Sequence, residues 1–181
     1  MFYGMANPNP HLDEASYRHE VERCMSELHF VGIKLHPAAH AAPPGGRDSR
    51  KVFEMARELK VPVMVHTGNG IPFANPANLI PLAEQYPDVA IIMAHSGMMI
   101  STGEIGIVMS HCPNTYADVS WVGGFIVERL TAEFGACRFL FGSDHAENAS
   151  TEIEKIRGSR MTEEDKEWVL GKTAALLFGL S

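Results

Sequence analysis

The feature that most constrains this chain is a recurrence: an apolar run ending in histidine returns about every thirty residues. "FVGIKLH" ends at His36, "VPVMVH" at His66 and "VAIIMAH" at His95, with intervals of 30 and 29 residues. That interval fits one strand plus one returning helix. Further runs, "FYGMA" near the N-terminus, "TYADVS" (115–120) and "RFLFGS" (138–143), bring the expected strands to six. Helical periods fill the gaps. Residues 12–28 place Leu12, Val21, Cys24, Met25 and Leu28 among charges, and "SRKVFEMARELK" follows Asp48, an expected N-cap. Asn75 precedes Pro76 at an expected first helical position, where proline's missing N–H costs nothing. Residues 98–110 and 124–135 read as two more helices, and Thr162 with Asp165 forms a capping arrangement before the C-terminal helix. Strands alternating with helices mean an α/β fold with a parallel sheet.

In such a fold each run's last residue sits at the C-terminal edge of the sheet, where parallel α/β sheets and barrels build their sites. His36, His66 and His95 therefore arrive in phase, and Asp144 follows a fourth run in the same way. Within "FVGIKLHP", side chains alternate faces, so Lys34 and His36 share one side while Ile33 and Leu35 take the other. Either that side opens to water, or something there uses the cation and the imidazole. Lys34 has two readings on these grounds: a site residue, or an interior lysine paired with a carboxylate such as Asp118.

Composition narrows the function classes. At 181 residues the chain suits a single domain, 1–181, with one buried core. A hydrophobic share of 45% with 20% charged residues excludes a disordered class, and no run offers the roughly 18 apolar residues a membrane span needs. The net charge of −7 argues against a nucleic-acid partner. Cys24, Cys112 and Cys137 are odd in number and lack paired spacing, so neither disulfides nor a thiolate metal site is expected. A cytoplasmic protein acting on a small molecule is the expectation. Gly68 and Gly70 in "HTGNG" lack the full dinucleotide fingerprint.

Neutral imidazoles meeting a carboxylate suit a borderline divalent ion: imidazole brings a lone pair without charge, and carboxylate offsets the ion's charge. Zinc is the first expectation, with manganese as the alternative. Such an ion makes hydroxide available at neutral pH.

The segments "VGIKLHP", "VPVMVHTGNG", "VAIIMAHSG", "NTYADVSW" and "FLFGSDHAE", in that order, resemble the later strands of the amidohydrolase-related enzymes, a TIM-barrel family of metal-dependent hydrolases and nonoxidative decarboxylases. "EEDKEWVLGKTAALLFGL" is similar to that family's C-terminal helix. The resemblance implies a TIM-barrel-like domain, and it aligns the N-terminus with the family's third strand. The family's His-x-His pair does not occur in the sequence, so an incomplete barrel of about six strands is expected, with a homo-oligomer as one way to cover its edges. Carried over residue by residue, the resemblance makes His66 and Asp144 metal ligands, and His95 and Asp144 catalytic. Lys34 and His36 become substrate-binding.

The implied chemistry is metal-assisted hydrolysis of an amide, ester or lactone. Two alternatives stand beside it: nonoxidative decarboxylation of an acid, and an inactive barrel acting as a binding module.

Overall fold

The computed structural model describes residues 2–180. Six strands form one sheet in the order β1 to β6: Met5–Ala6, Gly32–Leu35, Val63–His66, Ile91–Ala94, Thr115–Asp118 and Phe139–Leu140. Every neighbouring pair is parallel. The strands are shorter than the apolar runs that mark them: β2, β4, β5 and β6 give way to turns before their runs end, while β1 and β3 begin later than their runs. β1 and β6 are the sheet edges, so the architecture is that of an incomplete TIM-like barrel.

Helices return the chain between strands: α1 (Glu14–Ser26), α2 (Arg50–Leu59), α3 (Ile80–Gln85), α4 (Gly103–His111), α5 (Gly124–Phe134) and α6 (Ala149–Arg157). α7 (Glu163–Glu167) and α8 (Thr173–Phe178) close the chain and are joined by a π-helical turn over 168–172. Asp13 caps α1, its carboxylate accepting the Ser16 N–H at 3.0 Å. Thr162 caps α7 through the Asp165 N–H at 3.1 Å, as its spacing implies. Asp48 is not the cap of α2. Ser49 holds that position, and the Asp48 carboxylate reaches across to the His11 ring at 2.7 Å, a charge-assisted contact that outcompetes a neutral cap. Asn75 does precede a helical turn begun by Pro76, though that turn is 3₁₀ before α3 starts.

The alternation of β2 decides which face is which. Ile33 and Leu35 are fully buried and join Val63, Val65, Ile91, Met93, Ala117 and Phe139 in one core under the helices. Tyr17, Val21, Phe53, Met55, Ile105, Val108, Val127 and Ile156 pack onto that core from the helix layer. Lys34 lies in register with Met64 on β3 and so turns to the other, concave face of the sheet. The helices thus absorb one face of every strand, and the polar residues gather on the face left over. Among the described residues no helix is long and apolar enough to cross a membrane.

This two-faced reading has opposite consequences at adjacent positions. Leu35→Ala removes a fully buried side chain and is expected to cost about 2–5 kcal/mol in urea unfolding. Lys34→Met, which removes a half-buried cation without a partner among the described residues, is expected to leave stability unchanged or raise it. A large loss from Lys34→Met with little from Leu35→Ala would reverse the assignment of faces.

Candidate active site

At the C-terminal mouth the strands hand over to tightly pinned turns. His95 and Ser96 after β4 have φ of 65° and 42°, Trp121 after β5 has 60°, and Asp144 after β6 has 61°. Left-handed backbone at bulky residues is unfavourable and persists only where surrounding bonds hold it. Those bonds are present. The Asp118 carboxylate accepts the His95 N–H at 2.9 Å, and the Asp118 carbonyl accepts the Ser96 hydroxyl at 2.6 Å. Thr67 Oγ1 accepts the Gly97 N–H at 2.9 Å while donating to the Ala94 carbonyl at 2.7 Å. Strands β3 and β5 therefore clamp the "HSG" turn from both sides. Gly142 is required next to this clamp, because a Cβ there would run into Asp118 Oδ2.

The clamp also sets the tautomer of His95. Ser120 donates its single hydroxyl proton to Asp118 Oδ1. The 2.7 Å contact between Ser120 Oγ and His95 Nδ1 must then be donated by the imidazole. Neutral His95 is thus protonated at Nδ1, leaving a bare Nε2, and that nitrogen faces Asp144 Oδ1 at 3.7 Å.

Lys34, Met64, His95, Asp118, Phe141 and Asp144 line a shared cavity of about 290 Å³. Lys34 Nζ has no hydrogen-bond or ion-pair partner among the described residues. Asp118 and Asp144 act on it only through space, and burial outweighs them, lowering its pKa. A larger cleft of about 500 Å³ runs between Pro43–Gly46 and Pro72–Pro81, but no titratable group lines it, so it carries no acid–base chemistry.

His66 stands beside this cavity. Its ring centroid lies 5.2 Å from that of His95 and 4.0 Å from that of His36, with which it stacks. His66 Nε2 donates to the Asn69 carbonyl at 2.8 Å, and His36 Nδ1 accepts the Ala39 N–H at 3.2 Å. The structure thus gathers His95, Asp144 and Lys34 around one space, with His66 adjoining it and His36 one ring further out. Asp118 and Ser120 complete the arrangement. Sequence reasoning named Asp118 only as a partner for Lys34 and missed Ser120; the period of two in "TYADVS" was the available signal, since it puts both residues on the face of the site.

Burial pushes His95, His66 and His36 below the ordinary imidazole value, in His95 against the pull of Asp118 and Asp144. Burial alone would raise the Asp144 carboxyl. The Trp121 indole N–H, then His95, His145 and Lys34, outweigh it and leave that pKa below the usual range. The free site therefore holds neutral imidazoles, a carboxylate and an ammonium.

Whether these residues suit a metal ion is a question of donor number. Catalytic zinc commonly takes three protein donors. Among the described residues no group of three His, Cys, Asp or Glu side chains is placed to hold one. His66 and Asp144 have the right chemistry as individual donors and do not by themselves make a complete set.

Parallel strands that alternate with helices and deliver imidazoles and a carboxylate to one C-terminal mouth are the architecture of the α/β barrel class. Within it, this chain belongs to the amidohydrolase family, whose model matches residues 1–180. Comparison with curated proteins finds no match. Among solved structures, a 2,6-dihydroxybenzoate decarboxylase complexed with 2,6-dihydroxybenzoate is similar with a TM-score of 0.78 and 18% identity, over 99% of this chain and 71% of that one. A 5-carboxyvanillate decarboxylase from Sphingomonas paucimobilis gives 0.77 and 16%, over 99% and 67%. A dihydroxybenzoic acid decarboxylase from Polaromonas sp. JS666, with bound manganese and the inhibitor 2-nitroresorcinol, gives 0.77 and 20%, over 99% and 69%. At these identities the likeness is one of fold.

These three imidazoles, two buried and His36 half-buried, make stability depend on pH with a defined sign. Folding holds their pKa below the ordinary 6.5, so their contribution is complete above that pH and is lost as pH falls through the lower folded values. Urea unfolding is expected to show lower stability at about pH 5.5 than at about pH 7.5, with a shallower dependence in His66→Gln. Equal stability at the two pH values would contradict the neutral state of these rings.

Proposed function

We propose that this chain carries the site of a nonoxidative decarboxylase acting on a small hydroxyaryl carboxylic acid. The observation that carries the reading is the Lys34 ammonium, half-buried and without a partner among the described residues, in the same cavity as the His95–Asp144 pair. An unpaired ammonium on the wall of a cavity favours an anionic ligand, and a carboxylate answers that requirement. The names of the similar structures support the same substrate class.

The balance is simple: the carboxylate and one proton become carbon dioxide and a C–H bond. Lys34 anchors the acid, and the substrate's negative charge favours proton uptake by the His95–Asp144 pair. That pair passes the proton to the carbon bearing the carboxylate. The C–C bond then breaks, its electron pair returns to the ring, and carbon dioxide leaves. Water restores the proton. The bare Nε2 of His95 faces Asp144 Oδ1 at 3.7 Å, so a small closure on binding the acid, or one bridging water, lets the two groups share it. His36 supports the reading at one remove, by stacking against the His66 ring.

Hydrolysis of an amide, ester or lactone is the weaker reading, because it leaves the unpaired lysine without a role. A divalent cofactor, manganese as in the Polaromonas structure or zinc, enters only as far as the donors allow. His66 and Asp144 supply two, and no step above depends on it.

The test uses 2,6-dihydroxybenzoate and 5-carboxyvanillate as probes, with Mn²⁺ supplied. Carbon dioxide release is expected from at least one, and in D₂O the product should carry one deuterium at the carbon that held the carboxylate. Lys34→Met should lower kcat/KM by about a hundredfold, chiefly by raising KM. No release from either acid, or a Lys34→Met variant as active as the parent, would overturn the reading.

A further inference from the structure

We infer that Trp121 is a positioning residue, whose indole holds one oxygen of the Asp144 carboxylate and so reserves the other for proton transfer. The inference rests on the proposed function for what Asp144 does, and on geometry for how Asp144 is held.

The two carboxylate oxygens have different surroundings. Oδ2 accepts the Trp121 Nε1–H at 2.9 Å and has His145 Nε2 at 3.4 Å. Oδ1 instead faces His95 Nε2 at 3.7 Å. Without the indole only the exposed His145 ring remains beside Oδ2, and the carboxylate's χ2 torsion, broad for Asp, is held less tightly. An indole suits the task chemically. It is a donor only, so it cannot take the proton, and being neutral it orients the carboxylate without pairing off its charge as Arg or Lys would.

Trp121 is also held in a way that an incidental surface aromatic does not need. It is 40% exposed and sits at φ 60°, an unfavourable backbone for so large a residue. Its backbone N–H donates to Oε1 of the buried Glu152 on α6 at 3.2 Å. Glu152 is paired with Lys155 and accepts from Asn148 Nδ2 at 3.3 Å, while Lys155 Nζ donates to the Val119 carbonyl at 2.7 Å. Helix α6 thus grips the loop after β5 on both sides of Ser120. The same loop thereby delivers Ser120 to His95 and the indole to Asp144, setting both partners of the acid–base pair.

Trp121→Phe keeps the ring and removes the donor. Phe125→Ala, which removes a 72% exposed aromatic on the same rim, serves as the comparison. With the acid that the wild-type protein turns over, Trp121→Phe is expected to lower kcat about tenfold while KM stays within about twofold and the unfolding midpoint is unchanged. Phe125→Ala is expected to change none of these. A loss confined to KM, or an unchanged kcat, would overturn the inference. A second readout does not depend on turnover: in ¹H–¹⁵N spectra the Trp121 indole proton, assigned by its loss in Trp121→Phe, should exchange slowly with solvent and become fast in Asp144→Ala. Fast exchange in the wild-type protein would overturn the inference by itself. If neither acid is decarboxylated but the indole proton is protected, the proposed function falls and the clamp on Asp144 stands.

Discussion

The interaction on which this site depends is the grip of Asp118 on the turn after β4. One carboxylate at the end of β5 takes the His95 N–H with one oxygen, receives the Ser120 hydroxyl on the same oxygen, and leaves its carbonyl to Ser96. Through Ser120 it also dictates which nitrogen of His95 carries the proton. Remove that carboxylate, and the tautomer loses its cause while the left-handed turn keeps only the Thr67 side of its clamp and the Asp118 carbonyl. The parallel sheet makes this grip possible, since β4 and β5 are neighbours in register and end at the same edge.

The fold and the chemistry are therefore coupled through strand ends. Helices bury one face of each strand, which leaves a concave face where Lys34, Asp118 and the loop residues meet. His95, Trp121 and Asp144 all stand in left-handed backbone, and each is held there by bonds from a neighbouring element or touches a residue that is. Strain of this kind is retained where geometry matters more than local stability. Three such residues, His95, Trp121 and Asp144, meet at this mouth, which also carries the titratable groups that the larger cleft formed by the prolines lacks.

Much of this was legible in the sequence because it follows from period. Apolar runs of strand length located all six strands, the thirty-residue interval put His36, His66 and His95 at one edge, and the end of a further run put Asp144 there with them. Alternation within "GIKL" correctly separated Lys34 from the helix-facing core. What escaped was set by contacts between segments distant in sequence. The role of Ser120 depends on the approach of His95, 25 residues earlier, and the capture of Asp48 by His11 spans 37 residues, so neither has a local signature. The stacking of His36 on His66, by contrast, follows from register, since β2 and β3 pair Leu35 with Val65 and so bring the next residue of each strand side by side.

If the Asp118–Ser120–His95 relay organises the site as described, the protonation pattern of a single imidazole reports it. The direct measurement is ¹⁵N NMR of the His95 ring at about pH 7.5, assigned with His95→Gln and repeated on Ser120→Ala. The account predicts a proton on Nδ1 and a bare Nε2 in the wild-type protein, with that preference weakened in Ser120→Ala. A proton resident on Nε2, or an imidazolium at that pH, would contradict it.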